Sequence, residues 1–211
     1  MSGSAELRWR LQIYGAGAPP DLMSEISIQA APAAEQPGPA FRDSHAALAF
    51  GVASDEQSMA CMMDGLQTAA SNGDKLVKEV TLPLVQGIFA FVHQDYGETI
   101  RLMEPLFNLN ARYDQLARVG GSHAQREVFE DTLTEAYLRS GQSDKAEAMI
   151  GHRLRRRESP RDLFWLARAQ EAEGNKGAAS SNLRQAENTW IDADSDSKET
   201  AALVNLAEKV R

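Results

Sequence analysis

The feature that constrains this sequence most is an internal repeat of a helix–turn–helix pattern. Three turn regions, 94–96, 140–142 and 173–175, each end one helical stretch and open the next. When they are aligned at 94, 141 and 174, a small residue lies seven positions before the turn, another lies five after it, and a large apolar residue lies nine after it. These positions hold Gly87, Thr134 and Ala167, then Thr99, Ala146 and Ala179, then Met103, Ile150 and Leu183. Because one such hairpin cannot bury its apolar face alone, the repeat predicts a stack of hairpins.

The spacing of the turns indicates the class of repeat. The turns at 141 and 174 are 33 residues apart, close to the period of about 34 residues in tetratricopeptide repeats, which are helix–turn–helix units. A weaker copy surrounds Ser54, and the other intervals are 40 and 47 residues, which implies longer helices or inserted loops. β-branched residues are sparse and no period-2 alternation stands out, which argues against strands. The sequence therefore predicts an all-α fold, a solenoid of tetratricopeptide-like α-hairpins.

The repeat array is predicted to span residues 41–211. Capping boxes at 54–57 and 122–125, and a serine before a proline at 159–160, indicate where helices begin. The final helix has polar residues between its apolar ones and is predicted to be a terminal cap. The expected helices are 43–53, 55–71, 75–94, 97–117, 123–140, 144–157, 160–173, 176–190 and 197–210.

Residues 1–40 are predicted to be a helical stub followed by a Pro- and Ala-rich linker. Leu7, Leu11 and Tyr14 form one helical stripe. The stretch 15–40 contains five prolines, which favours loop structure apart from a short helix near 22–30.

An exposed apolar patch is expected at the N-terminal end, because solenoid ends need a polar outer face and nothing before Phe41 supplies one. The residues expected in this patch are Leu11, Leu48 and Phe50. Such a patch would favour self-association through the N-terminal end.

Composition restricts the kind of partner. The formal net charge is -8 and the pI is near 5.1, which argues against nucleic acid or an anionic membrane as the main partner. Cys61 is the one cysteine, so no internal disulfide can form. No apolar stretch approaches the roughly 20 residues of a membrane span, and residues 1–15 do not resemble a signal peptide. A cytoplasmic protein is expected.

Motifs for catalysis or cofactor binding are absent from the sequence. There is no G-x-S-x-G and no phosphate-binding loop. Asp192, Asp194 and Asp196 resemble the opening of a calcium loop, but Ser197 stands where glycine is required and Leu203 where a bidentate glutamate is required. We therefore expect no catalytic residue, no resident metal and no cofactor, and interpret the acidic stretch as a polar turn.

Three histidines, His45, His93 and His123, lie near predicted helix ends. Together with Asp43 and Arg126 they could form a site for a metal, an anion or a small molecule. No two histidines have the i, i+4 spacing that favours metal ligation. The competing interpretation is capping and packing between hairpins. For the Arg126 guanidinium the alternatives are a partner's carboxylate and a tie between repeats.

Four arginines, at 153 and 155–157, cluster at a predicted helix end. Positive charge is favourable there because the last carbonyls are exposed. This cluster is interpreted as a solvated helix end.

Several stretches resemble the tetratricopeptide repeat protein 38 family. The most specific is GGSHAQR within residues 112–129, RYDQLARVGGSHAQREVF. Further agreement is found in WRLQIYG at 9–15, FRDSHA at 41–46, GIFAFVH at 87–93 and WLARA at 165–169. The similarity covers roughly residues 5 to 190. Members of that family are longer, so the resemblance implies a C-terminal half and a tetratricopeptide-like helical array, and it implies no particular reaction.

Three functions are consistent with these patterns. The first is a non-catalytic interaction module or scaffold that binds a protein or peptide on its concave face, with His45, Tyr113, His123 and Arg126 as candidate contacts. The second is an enzyme or small-molecule site built from the three histidines. The third is a purely structural half of a longer chain.

Overall fold

The structure, a computed structural model, describes residues 2–15, 20–109, 114–190 and 197–211. Every regular element in these ranges is helical, and most helices that are neighbours in sequence pack against one another. The all-α class predicted from the repeat is therefore confirmed. The α-helices in these ranges are α1 (Ser2–Ile13), α2 (Pro20–Glu35), α3 (Ala40–Ala53), α4 (Glu56–Ser71), α5 (Leu82–Val92), α6 (Tyr96–Met103), α7 (His123–Arg139), α8 (Ser143–Leu154), α9 (Pro160–Ala172), α10 (Lys176–Thr189) and α11 (Lys198–Val210).

The chain divides into two compact units, Met1–Ala136 and Tyr137–Arg211, here called the first and second units. In the first unit α3 packs against α1, α2 and α5, and α5 packs against α6. In the second unit α9 packs against α8 and α10, and α11 packs against α10.

The aligned turn positions share one backbone conformation. Ser54, Gln94, Gly141 and Gly174 all have positive φ, at 54°, 62°, 76° and 80°. In each turn the next backbone N–H donates to the carbonyl five residues earlier, at 2.9, 2.9, 2.9 and 2.8 Å. This is the helix-ending motif in which a single left-handed residue reverses the chain. The turn alignment is therefore confirmed, including its weaker copy at Ser54.

Three of these turns place a capping side chain directly after the left-handed residue. Asp55, Asp95 and Asn175 accept hydrogen bonds from the backbone N–H three residues further on, at 3.0, 3.0 and 3.3 Å. The capping box predicted at 54–57 is wrong, because the left-handed backbone of Ser54 ends α3 and leaves Asp55 to cap α4.

The other two predicted helix starts are confirmed. Ser122 and Gln125 form a reciprocal capping box: the Gln125 N–H donates to Ser122 Oγ at 3.2 Å, and the Ser122 N–H donates to Gln125 Oε1 at 2.8 Å. Ser159 caps α9 through the Asp162 N–H at 3.3 Å, with Pro160 at the first helical position.

The region predicted as a linker is instead largely helical. α2 packs on α3 and α4, and its alanines at 30 and 33 are buried. Pro20 opens this helix and Pro39 is the cap position of the next one, so both mark helix boundaries, where the missing N–H is not needed. Pro32 lies inside α2 with its ring exposed. The prediction of a linker is wrong because it rested on the number of prolines, whereas prolines at helix boundaries are compatible with helical structure.

Among the described residues, those predicted to form an exposed patch at the N-terminal end are instead covered, because α1 packs on α3 within the first unit. Leu48 and Phe50 are fully buried, and Leu11 is half-buried. Trp9 on α1 is 1% exposed, and its Nε1–H donates to Thr132 Oγ1 at 2.8 Å. Self-association itself remains a prediction, without this patch as its cause.

Two prolines change the helices that were predicted at 75–94 and 97–117. Pro83 lacks an N–H and its ring crowds the carbonyl four residues earlier, and the turn Val77–Thr81 just before it is widened to a π-helix. Pro105 follows the end of α6, and a short 3₁₀ turn, Glu104–Leu106, replaces the predicted continuation. A second 3₁₀ segment, Gln115–Val119, is capped by Asp114.

The small and large positions of the repeat lie in the cores of their units. Ala146, Ala167 and Ala179 are fully buried in the second unit, together with Ile150 and Leu183. In the first unit a Cβ added to Gly87 would collide with the side chain of Met103. The small residues therefore leave the space that the large residues fill.

Replacing Ala146 or Ala179 by leucine is expected to destabilise the second unit by roughly 1–3 kcal/mol, because both side chains are fully buried and the added methylenes would overpack the core. Urea denaturation followed by circular dichroism measures the loss. Ala148→Leu is the control, since Ala148 is exposed on the same helix as Ala146. Unchanged unfolding of both buried-site variants would show that the assigned register is incorrect.

Candidate functional site

His45, the first of the predicted site residues, is fully buried in the first unit. Its Nδ1 lies 2.7 Å from the Phe41 carbonyl oxygen, which fixes Nδ1–H as a donor. Its Nε2 lies 2.8 Å from Glu6 Oε1, on a carboxylate supplied by α1. The rings of Phe41 and Phe129 pack against the imidazole, with centroids at 4.2 and 5.5 Å. The surrounding side chains therefore block a partner protein from His45.

Asp43, on the same helix, is also buried and is bonded locally. Its Oδ2 accepts from the Gly38 N–H at 2.6 Å and its Oδ1 from Arg42 Nε at 3.0 Å. Burial raises the pKa of Asp43 and outweighs the lowering by the Gly38 hydrogen bond and by Arg42. The carboxylate holds the start of α3 together, which is a structural role.

The other two histidines have acidic neighbours of their own. His93 Nδ1 lies 2.9 Å from the Phe89 carbonyl oxygen, and its Nε2 lies 3.2 Å from Glu56 Oε1. His123 is half-exposed, with its ring nitrogens 3.6 Å from Glu127 and 3.5 Å from Glu130. Across the described ranges, no group of three or more His, Cys, Asp or Glu side chains is placed to hold a metal ion. The three histidines thus face different carboxylates, and the geometry gives a shared histidine site no support.

Arg126 stabilises the loop before α7. Its Nη1 donates to the Gly120 carbonyl at 2.9 Å and to the Gly121 carbonyl at 2.5 Å. Both glycines have positive φ, and a side chain on Gly121 would collide with the Phe41 ring. The guanidinium is thus turned toward its own loop, which opposes the expectation that it contacts a partner. Tyr113, another expected contact, lies outside the described residues.

The arginine cluster at the end of α8 contains one residue that sequence reasoning misassigned. Arg153 is 4% exposed, and its Nη2 donates to Asp162 Oδ1 of α9 at 2.7 Å. Asp162 is fully buried. Arg155, Arg156 and Arg157 are exposed, as predicted for a solvated helix end. The pair shows that one arginine of the cluster joins two helices of the second unit.

A groove that sequence reasoning missed opens in the second unit between α9 and α11. Its volume is about 360 Å³, within the range of about 300–1,000 Å³ that is typical of ligand sites. We call it the α9–α11 groove; it is lined by Leu138, Phe164, Arg168, Glu171, Ala172, Ala202, Asn205, Leu206 and Lys209.

Helical spacing explains how the groove is built. Phe164, Arg168 and Ala172 follow one another at i, i+4 and i+8 on one face of α9, and Asn205 and Lys209 are one turn apart on α11. The polar residues of α11 had instead been expected to belong to a terminal capping helix. The groove could have been predicted from the lining residues that recur at i, i+4 spacing on α9 and on α11.

The groove lies in the less acidic part of the chain. Residues 1–136 contain 9 Lys and Arg against 18 Asp and Glu, whereas residues 137–211 contain 13 against 12. The groove itself contains two cationic side chains, Arg168 and Lys209, and one carboxylate, Glu171. The net negative charge of the protein therefore belongs to the first unit and does not oppose an anionic ligand in this groove.

No protein-family model matches the sequence, and no solved structure matches the chain. Among the described helices, none has the length and apolar character needed to cross a bilayer.

Proposed function

We propose that this chain is a non-catalytic tetratricopeptide-like interaction module that binds a peptide segment of a partner protein in the α9–α11 groove. On this proposal it belongs to the tetratricopeptide repeat protein 38 family and acts in the cytoplasm. The single observation that carries the proposal is the groove, whose apolar base and polar rim lie on two neighbouring helices.

The apolar lining supports a peptide anchored by side chains. Phe164 and Leu206 are nearly buried, and Ala202 on α11 is exposed and short. Because Ala202 is short, it leaves space above the buried side chains of Phe164 and Leu206. An anchoring side chain of a peptide can bind in an apolar pocket of this kind.

The polar lining supports a peptide that carries acidic residues. Lys209 and Asn205 supply hydrogen-bond donors from α11, and Arg168 supplies a guanidinium from α9. Two cationic side chains against one carboxylate favour an anionic segment over a basic one.

Peptide selection against the full chain, followed by affinity measurement, tests this function. Peptides from a random displayed library are expected to combine apolar and acidic residues. Ala202→Trp fills the groove and is expected to weaken their binding at least about tenfold, because the anchoring contact is blocked. Ala201→Trp is the matched control, since Ala201 is exposed on the same helix and does not line the groove.

Two results would contradict the proposal. One is a failure to enrich any peptide that binds the wild-type chain. The other is equal binding of the selected peptides to wild type and Ala202→Trp, with both variants retaining the helical content of the parent.

A further inference from the structure

A second groove lies in the first unit, where the ends of three helices meet. Its volume is about 230 Å³, and it is lined by the end of α3, the start of α4 and the end of α5. We call it the α3–α5 groove. Its volume is below the range of about 300–1,000 Å³ that suits drug-sized ligands, so it fits a single long side chain.

The groove is apolar at its base. Phe50 and Met59 line it and are 0% and 2% exposed, and Phe89 and Val92 complete this surface half-buried. Gly51 also lines the groove; a Cβ there would lie 2.7 Å from Trp9 Cζ3 and 3.0 Å from Val92 Cγ2. The hollow is therefore built on packed side chains and a glycine that has no room for a larger residue.

Two carboxylates, Asp55 and Glu56, stand among the lining residues. Asp55 accepts hydrogen bonds from Ser27 Oγ and from the Ser58 N–H. Its pKa is lowered because these hydrogen bonds outweigh desolvation, so it is anionic at neutral pH. Glu56 is 73% exposed and reaches His93 Nε2 at 3.2 Å. The Glu56 side chain can therefore turn toward a ligand, and doing so breaks only its exposed contact with His93.

Charge and aromatic surface both favour a guanidinium in this place. The first unit carries 18 acidic residues against 9 Lys and Arg, so its field attracts cations. The rings of Phe89 and His93 lie beside the groove with centroids 4.3 Å apart. A planar guanidinium can stack on such rings while it donates to a carboxylate, whereas an ammonium is more strongly hydrated.

We propose that the α3–α5 groove binds an arginine side chain of a partner protein. The methylene stem packs on Phe89 and Val92, and the guanidinium donates to Glu56 beside Asp55. This site is separate from the α9–α11 groove and does not depend on the function proposed for it.

The test uses the full ¹⁵N-labelled chain and two short peptides that differ at one position. One peptide contains a single arginine among glycines and serines, and the other contains citrulline, which has nearly the same shape without the charge. We expect saturable shifts of the amides near Gly51, Glu56 and His93 with the arginine peptide. Binding of the citrulline peptide is expected to be at least about tenfold weaker, because a charge-assisted hydrogen bond is lost.

Variants separate a specific site from general attraction. Glu56→Gln is expected to weaken the arginine peptide about tenfold, and because Glu56 is mostly exposed its loss should leave the fold intact. Asp64→Asn removes the same charge further along α4, at an exposed position outside the groove, and is expected to change nothing. Equal binding of both peptides, or equal weakening by both variants, would overturn the proposal. Shifts confined to the α9–α11 groove would also overturn it while leaving the proposed function standing.

Discussion

Replacing Asp162 by alanine is expected to lower the free energy of unfolding of the second unit by about 3–5 kcal/mol, the usual cost of breaking a buried ion pair. The variant removes the carboxylate that lies 2.7 Å from the buried guanidinium of Arg153 in the native protein. Both side chains are almost completely shielded from water, at 4% and 0% exposure, so solvent cannot replace the lost partner. Urea denaturation followed by the fluorescence of Trp165, which is buried in the same unit, measures the effect.

Two further variants test whether the pair, and not the helix position, is responsible. The double variant Arg153→Leu with Asp162→Leu is expected to be more stable than Asp162→Ala, because two apolar groups leave no buried charge behind. Arg155→Ala removes an exposed arginine of the same cluster and should change stability by no more than about 0.5 kcal/mol. A cost below about 1 kcal/mol for Asp162→Ala would contradict the importance of the pair.

Replacing Glu6 by alanine is expected to destabilise the first unit by about 1–3 kcal/mol, the usual cost of leaving a buried polar group without its neighbour, and to loosen α1. Glu6 is 8% exposed and its Oε1 faces Nε2 of the fully buried His45 at 2.8 Å. The variant leaves His45 without this partner and removes one of the contacts that hold α1 on the unit. Trp9, on the same helix, should then become accessible to a soluble fluorescence quencher.

The control for this prediction lies one residue further along α1. Leu7 is 60% exposed, so Leu7→Ala is expected to change stability by no more than about 0.5 kcal/mol and to leave Trp9 shielded. If Glu6→Ala and Leu7→Ala behave alike, the attachment of α1 does not depend on the pair between Glu6 and His45.

The turns between helices could be predicted from the sequence because local interactions determine where a helix ends and the next one begins. Gly141 and Gly174 have the left-handed backbone that ends a helix, and Gln94 adopts the same conformation at the aligned position. The side chain of Ser159 acts on a backbone N–H three residues away. Short-range patterns of this kind need no knowledge of which helices meet, so the all-α class and the register of the hairpins could be predicted.

The attachment of residues 1–40 could not be predicted in the same way. The stripe containing Leu7 and Leu11 indicated a helix, but the residues that matter for its packing are Trp9 and Glu6. The hydrogen bond from Trp9 joins residues 123 positions apart, and the pair between Glu6 and His45 joins α1 to α3. Long-range pairings of this kind depend on which helix faces meet, and periodicity within one helix does not specify that.

The candidate site shows the same division between local and tertiary information. The sequence alone predicted helices over 160–173 and 197–210, and it identified His45, His123 and Arg126 as candidate contacts for a partner. Only the tertiary structure decided that His45 is buried, that Arg126 binds its own loop, and that Arg168 and Lys209 line one groove. The reason is physical: whether a polar side chain is satisfied inside the protein or left to meet a partner depends on the atoms that surround it, and those atoms come from distant parts of the chain.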